Sequence, residues 1–149
     1  MDQLKAAEYY KVLGPDRTCY HGGVGAWPEP GTWLKIPGQI IACWNGLHVL
    51  TRSQIVLWLG PTIWRVEIDP GADKIYHTYK TVVRRARLSE QLMDWNSLTA
   101  RLFAADCSEH VLPLFQGARP GDDRVEQAIA IARAFAEGQA TTQELAAAQ

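Results

Sequence analysis

The chain has 149 residues, 47% of them apolar, with 15 basic and 16 acidic side chains and a formal charge of -1. That length fits one domain, or a small domain with an appendage, and the apolar share supports a core without disulfide staples. Balanced charge argues against broad electrostatic binding to nucleic acid, and no run of roughly 18 apolar residues suggests a membrane helix.

The N-terminus, MDQLKAAEYYKVLG, lacks the basic start and apolar block of a signal peptide, so none is expected. Three cysteines at irregular spacing fit free thiols in a reducing cytoplasm. Residues 9–14 read as a strand ending at the turn Gly14-Pro15-Asp16. TWLKI (32–36) alternates as a strand does, and GQIIACW (38–44) reads as a β-branched strand stopped by Asn45-Gly46. In SQIVLWLG (53–60), Ser53 is a candidate cap for a short helix that Gly60 ends. TIWRVEID (62–69) alternates cleanly, with Trp64, Val66 and Ile68 opposite Ile63, Arg65, Glu67 and Asp69. YKTVVRRARL (79–88) is a further strand, with Val82, Arg84 and Ala86 on one face and Val83, Arg85 and Arg87 on the other.

Beyond residue 88 the period changes to that of a helix. Trp95, Leu98, Leu102, Val111 and Leu114 form a stripe that predicts a helix over 94–111, stopped or kinked by Pro113. A second helix is expected from an Asp123 cap with Glu126 three residues on, ended by Gly138. Thr141 and Glu144 repeat the box for a third, barely a turn long before Gln149, which implies either a fraying terminus or a longer parent chain. The expected fold is α+β: a β-rich module over 1–88 and a helical segment over 89–149, forming one compact unit.

Several motifs, in order, carry a family resemblance. YKVLGPDRTCYHGG, ACWNGLHVL, LWLGPTIWRVE and VVRRARL are followed by DCSEHVLPLF and PGDDR. Over residues 9–145 this is similar to a group of actinobacterial phage and prophage proteins. The first part resembles a phage domain of unknown function marked by a Cys-x-x-Gly-x-His element, here Cys43 to His48. The second resembles the helical segment of proteins labelled immunity proteins, matched from Asp106 to Ile129, with Gln116 where an acid is usual. The N-terminal half also resembles small ADP-ribosyltransferases of the rifampin-modifying type. That likeness implies NAD held by Tyr20, His21 and Gly22, with Glu67, Asp69 or Asp73 as the acid that stabilises an oxocarbenium-like transition state.

Each candidate site has a plainer reading. Gly22, Gly23 and Gly25 fit a loop of positive φ that His21 and Trp27 pin to the core. Cys19, His21, Cys43 and His48 could supply a zinc ligand set, but at spacings unlike those of structural sites, and no metal is expected. Asp106, Cys107 and His110 lie in one helical turn, yet Cys107 points about 100° from Asp106, which suits an ion pair and a packed thiol better than catalysis. Arg84, Arg85 and Arg87 are candidates for gripping phosphate or an acidic partner, or for a solvated strand face. Trp27 and Trp33 are candidate interface anchors. The expected function is that of a small soluble phage-type accessory protein. It would be a non-catalytic interaction module acting on a host protein in the bacterial cytoplasm, with no cofactor, no membrane, no nucleic acid and an open oligomeric state. The NAD-dependent transferase is the alternative, and a nucleotide- or nucleic-acid-binding module using the arginines is the second alternative.

Overall fold

The computed structural model describes residues 8–148, so the first half of the expected leader-free N-terminus lies outside the described residues. The chain divides into two compact units, Met1–Met93 and Asp94–Gln149. The first holds a seven-stranded antiparallel sheet and the second three helices, making the protein α+β.

The strands are β1 (Tyr9–Leu13), β2 (Leu34–Lys35), β3 (Leu47–Thr51), β4 (Thr62–Ile68), β5 (Lys74–Tyr76), β6 (Thr81–Val83) and β7 (Arg85–Gln91). Their order across the sheet is β2-β7-β4-β1-β3-β6-β5. The single strand expected over 79–88 is therefore two, broken at Arg84. β6 pairs with β3 and β5, while β7 pairs with β4 and β2. The break shifts the alternation. Val82 and Val83 are both buried, and Ala86 and Leu88 then point inward with Arg85 and Arg87 outward. Val83 and Ala86 share one core with Leu13, Leu47, Val49, Trp64, Val66 and Leu88, so the sheet rolls around that core. β4 keeps the predicted alternation, with Trp64, Val66 and Ile68 facing the core.

The expected strand over 38–44 is a loop instead. Ile41 and Asn45 close a tight turn by exchanging backbone hydrogen bonds, and Cys43 within it has a φ of 69°. The Asn45 amide donates to the carbonyls of Pro37 and Gln39, satisfying groups that a neighbouring strand would otherwise take. Gly46 then passes so close to β6 that a Cβ there would sit 2.3 Å from Cγ1 of Val82. The ambiguous stretch 53–60 forms a 3-10 helix, Arg52–Trp58, whose cap is Thr51 in a box with Gln54 rather than Ser53.

In the second unit, α1 (Ser97–Ala118) starts at an Asn96 cap whose side chain accepts from the Leu98 and Thr99 amides. The helix runs through Pro113 rather than stopping there. Phe115, beyond the proline, still lines a shared apolar surface with Val125 and Ile129 of α2 (Arg124–Ala136). The face packed on α2 is also rotated from the predicted stripe. Ala105 is buried and Leu102, Leu112 and Phe115 are half-buried, whereas Leu98, Val111 and Leu114 are exposed. Asp123 precedes α2, but its carboxylate accepts from the Gln127 side chain, and Asp122 accepts from the Arg124 amide in its place. α3 (Thr142–Ala147) has the reciprocal Thr141–Glu144 box that the sequence predicts.

Candidate interaction surface

The glycine-rich loop after β1 returns on itself. Thr18 bridges Ala26, the Cys19 amide donates to the Gly25 carbonyl at 3.0 Å, and Gly22, Gly23 and Gly25 all have φ between 77° and 90°. Trp27 is 4% exposed in the core, so it offers no surface to a partner. His21 is exposed. Its Nε2 lies 2.6 Å from the Trp58 carbonyl and 3.1 Å from that of Leu59, so the ring donates to the last carbonyls of the 3-10 helix. Tyr20 packs edge-on against His21, and His21 edge-on against Trp58.

The acids suggested for a transferase lie in a different setting. Glu67 accepts from Arg87, Asp69 from Arg85 at 2.6 Å, and Asp73 from Arg84 at 2.7 Å. The Gly71 amide and then Arg85 hold the Asp69 carboxyl below its ordinary range. Arg84 also donates to the Gly38 carbonyl. Half-buried Trp33 lies 4.7 Å from both the Arg85 and the Arg87 guanidinium groups. The three arginines and three acids are thus one another's partners across β4 and β7 and around Arg84.

Among the described residues, no three His, Cys, Asp or Glu side chains come together to hold a metal. His21 and His48, proposed as co-ligands, are instead bound to backbone: the Cys43 amide donates to Nε2 of His48 at 3.2 Å. In the helical unit, Asp106 pairs with Arg133 of α2 at 2.7 Å, while Cys107 and His110 are exposed.

What does stand out is a group of exposed apolar side chains on the segments that meet around Trp58 and Lys80 in the β-rich unit. Trp58 Nε1 donates to the Tyr79 carbonyl and Gln54 to those of His77 and Thr78, fastening the 3-10 helix to the β5–β6 turn. Lys80 in that turn lies over the Trp58 ring and reaches the 37–46 loop through Cys43. Around this junction Ile41, Trp44, Val56, Leu57, Tyr76 and Tyr79 are exposed, Trp44 at 88%. The sequence carries a signal for this that composition hides: residues 30–66 and 74–89 contain no acid at all. The cations there include Arg52, Lys74 and Lys80. The helical unit has its own apolar groove of about 910 Å³, where Ala105, Ser108, Ile129, Phe135 and Leu145 line the walls. Arg101 stacks on Phe135 at its rim.

Residues 92–149 match the family model described as "Imm-5 like putative immunity protein". The match spans the helical unit and begins just after β7, leaving the β-rich unit outside it. No curated protein and no solved structure matches the chain. The immunity-like segment includes α1 with its exposed Leu98, Phe103, Val111 and Leu114. Among the described residues no helix is long and apolar enough to cross a membrane.

His48 gives this surface a pH signature. Burial, then the positive charges of Lys80, Lys11 and His77, lower its pKa from 6.5 to about 4. The unfolded chain, titrating near the ordinary value, binds a proton that the folded chain refuses between those limits. Folding stability is therefore full above about pH 6.5 and declines as pH falls toward 4. Urea midpoints measured across that window should fall more steeply for the native chain than for His48→Gln. Parallel curves would show that His48 takes up its proton as readily folded as unfolded.

Proposed function

We propose that the chain is a non-catalytic accessory protein of the immunity type, which acts by stoichiometric contact with a protein partner. The observation that carries this reading is the immunity-like match over residues 92–149. It is supported by the exposed aromatic and aliphatic side chains around Trp44, because large apolar groups left in water at one place mark an interaction surface. An acidic partner suits that face, since the stretches that carry it, residues 30–66 and 74–89, hold cations including Arg52, Lys74 and Lys80 and no acid. We place the complex in the cytoplasm of the bacterium that carries the gene, with a phage or prophage origin, in keeping with the free thiols and the motif likeness. The transferase alternative draws no support from the geometry. His21 caps a 3-10 helix, and Glu67, Asp69 and Asp73 are engaged by arginines.

The test uses the full chain as bait in a bacterial lysate, followed by titration of the captured protein in purified form. A saturable complex of fixed stoichiometry, formed without NAD, is expected. Transfer of ADP-ribose from NAD to any lysate protein, lost in folded Glu67→Gln or Asp69→Asn, would overturn the reading.

A further inference from the structure

We propose that Cys43 and Lys80 form a reversible covalent crosslink when the protein meets a peroxide. The two side chains come from different segments and meet at contact distance, Nζ to Sγ, 3.0 Å. Both are held there by their surroundings. Cys43 sits in the tight turn Ile41–Asn45, its amide bonded to His48 and the turn anchored by the Asn45 side chain. Lys80 closes the β5–β6 turn, where the His77 amide donates to its carbonyl at 2.9 Å, and that turn is fastened to the 3-10 helix by Gln54 and Trp58.

Two features select this chemistry over others. Cys43 is exposed and has no cysteine partner: all three cysteines are free. No disulfide within the chain therefore occupies the Cys43 sulfur. Lys80 makes no ion pair with a carboxylate among the described residues, so its nitrogen is directed at sulfur. The Cys43 thiol is exposed to solvent, so peroxide can reach its sulfur.

The steps balance. Peroxide transfers one oxygen to the Cys43 sulfur, giving a sulfenic acid and one water; sulfur is oxidised and peroxide reduced. The Lys80 ammonium passes a proton to the newly formed sulfenate oxygen, and the lone pair of the resulting neutral amine then attacks that sulfur. The S–N bond forms, the S–O bond breaks, and hydroxide leaves with the amine proton as a second water. The sum is thiol, amine and hydrogen peroxide going to a sulfenamide and two waters. The flexible lysine stem closes the remaining distance, and an amine already in contact captures the sulfenic acid before a second peroxide arrives. A thiol reductant restores both side chains by attack at sulfur. The link fastens the loop carrying Trp44 to the turn carrying Tyr79, so oxidation would fix the shape of the exposed aromatic surface. The inference stands on the Cys43–Lys80 geometry alone and does not depend on the proposed partner.

The experiment is titration of the purified full chain with hydrogen peroxide, read by intact mass and by tandem mass spectrometry of a digest. The expected product is lighter by two hydrogens, yields one peptide pair joining Cys43 to Lys80, and reverts with dithiothreitol. Cys19→Ser and Cys107→Ser should keep the link. Lys80→Arg, checked for folding by circular dichroism, should lose it and carry Cys43 on to the sulfinic acid. Native protein that takes Cys43 to sulfinic acid without a link would overturn the proposal. So would an unreacted Cys43, or the same mass loss in Lys80→Arg.

Discussion

Leu88→Ala should destabilise the β-rich unit by about 2–5 kcal/mol, the range for emptying a fully buried leucine site. Leu88 is 1% exposed and lies opposite Val66 in the β4–β7 pairing, within the core that contains Trp64, Val83 and Ala86. Its neighbours come from both sides of the Arg84 break, so the cavity weakens the place where the sheet rolls over itself. The consequences extend along β7. Arg85 and Arg87, which flank Trp33 and bind Asp69 and Glu67, are positioned by the same strand. The ion pairs themselves are partly exposed and contribute little each. Arg87→Gln should therefore cost far less than Leu88→Ala, and a urea titration of both separates bracing by charge from bracing by the core. Equal losses would show that the arginine ion pairs, rather than apolar burial, hold the sheet together.

The elements most legible in the sequence are those whose pattern is set locally. β1 ends at a glycine-proline turn, β4 alternates because one face meets the core, and α3 begins with a reciprocal capping box. The misread elements depend on groups distant in sequence. Residues 38–44 have strand composition, but the Asn45 side chain occupies the carbonyls of Pro37 and Gln39 and the chain turns at Cys43. β3 is hidden because Leu47, Val49 and Leu50 are all buried, which erases a two-residue period. The strand over 79–88 looks continuous, because nothing local marks Arg84 as the corner where pairing passes from β3 to β4. α1 is apolar on more than one side, so its sequence does not say which face meets α2; the small residues Ala104, Ala105 and Ser108 line that face. For the site, the sequence draws attention to His21 and the arginines, which the structure places in contact with the Trp58 carbonyl and with Glu67, Asp69 and Asp73. The exposed surface is marked instead by what is missing, the acids absent from residues 30–66 and 74–89.

Trp44→Ser should weaken the proposed complex by about 2 kcal/mol or more, roughly 30-fold in affinity, while leaving folding nearly unchanged. The asymmetry follows from where the residue sits. At 88% exposure its ring has little burial to lose, and its recorded backbone bond, from the Trp44 amide to the Ile41 carbonyl, survives the change. On binding, the same ring would bury the large apolar area that makes tryptophan a frequent hot spot. Leu114→Ser is the matching change in the immunity-like segment, exposed at 77% on α1. Calorimetry with the captured partner, alongside urea midpoints, assigns the contact. If Trp44→Ser alone weakens binding, the acid-free aromatic face of the β-rich unit holds the partner. If Leu114→Ser alone does so, binding belongs to the helical segment, and the aromatic face needs another explanation. If neither variant shifts affinity by threefold, the partner uses surface away from both exposed apolar patches, and hydrophobic exposure has misdirected the assignment.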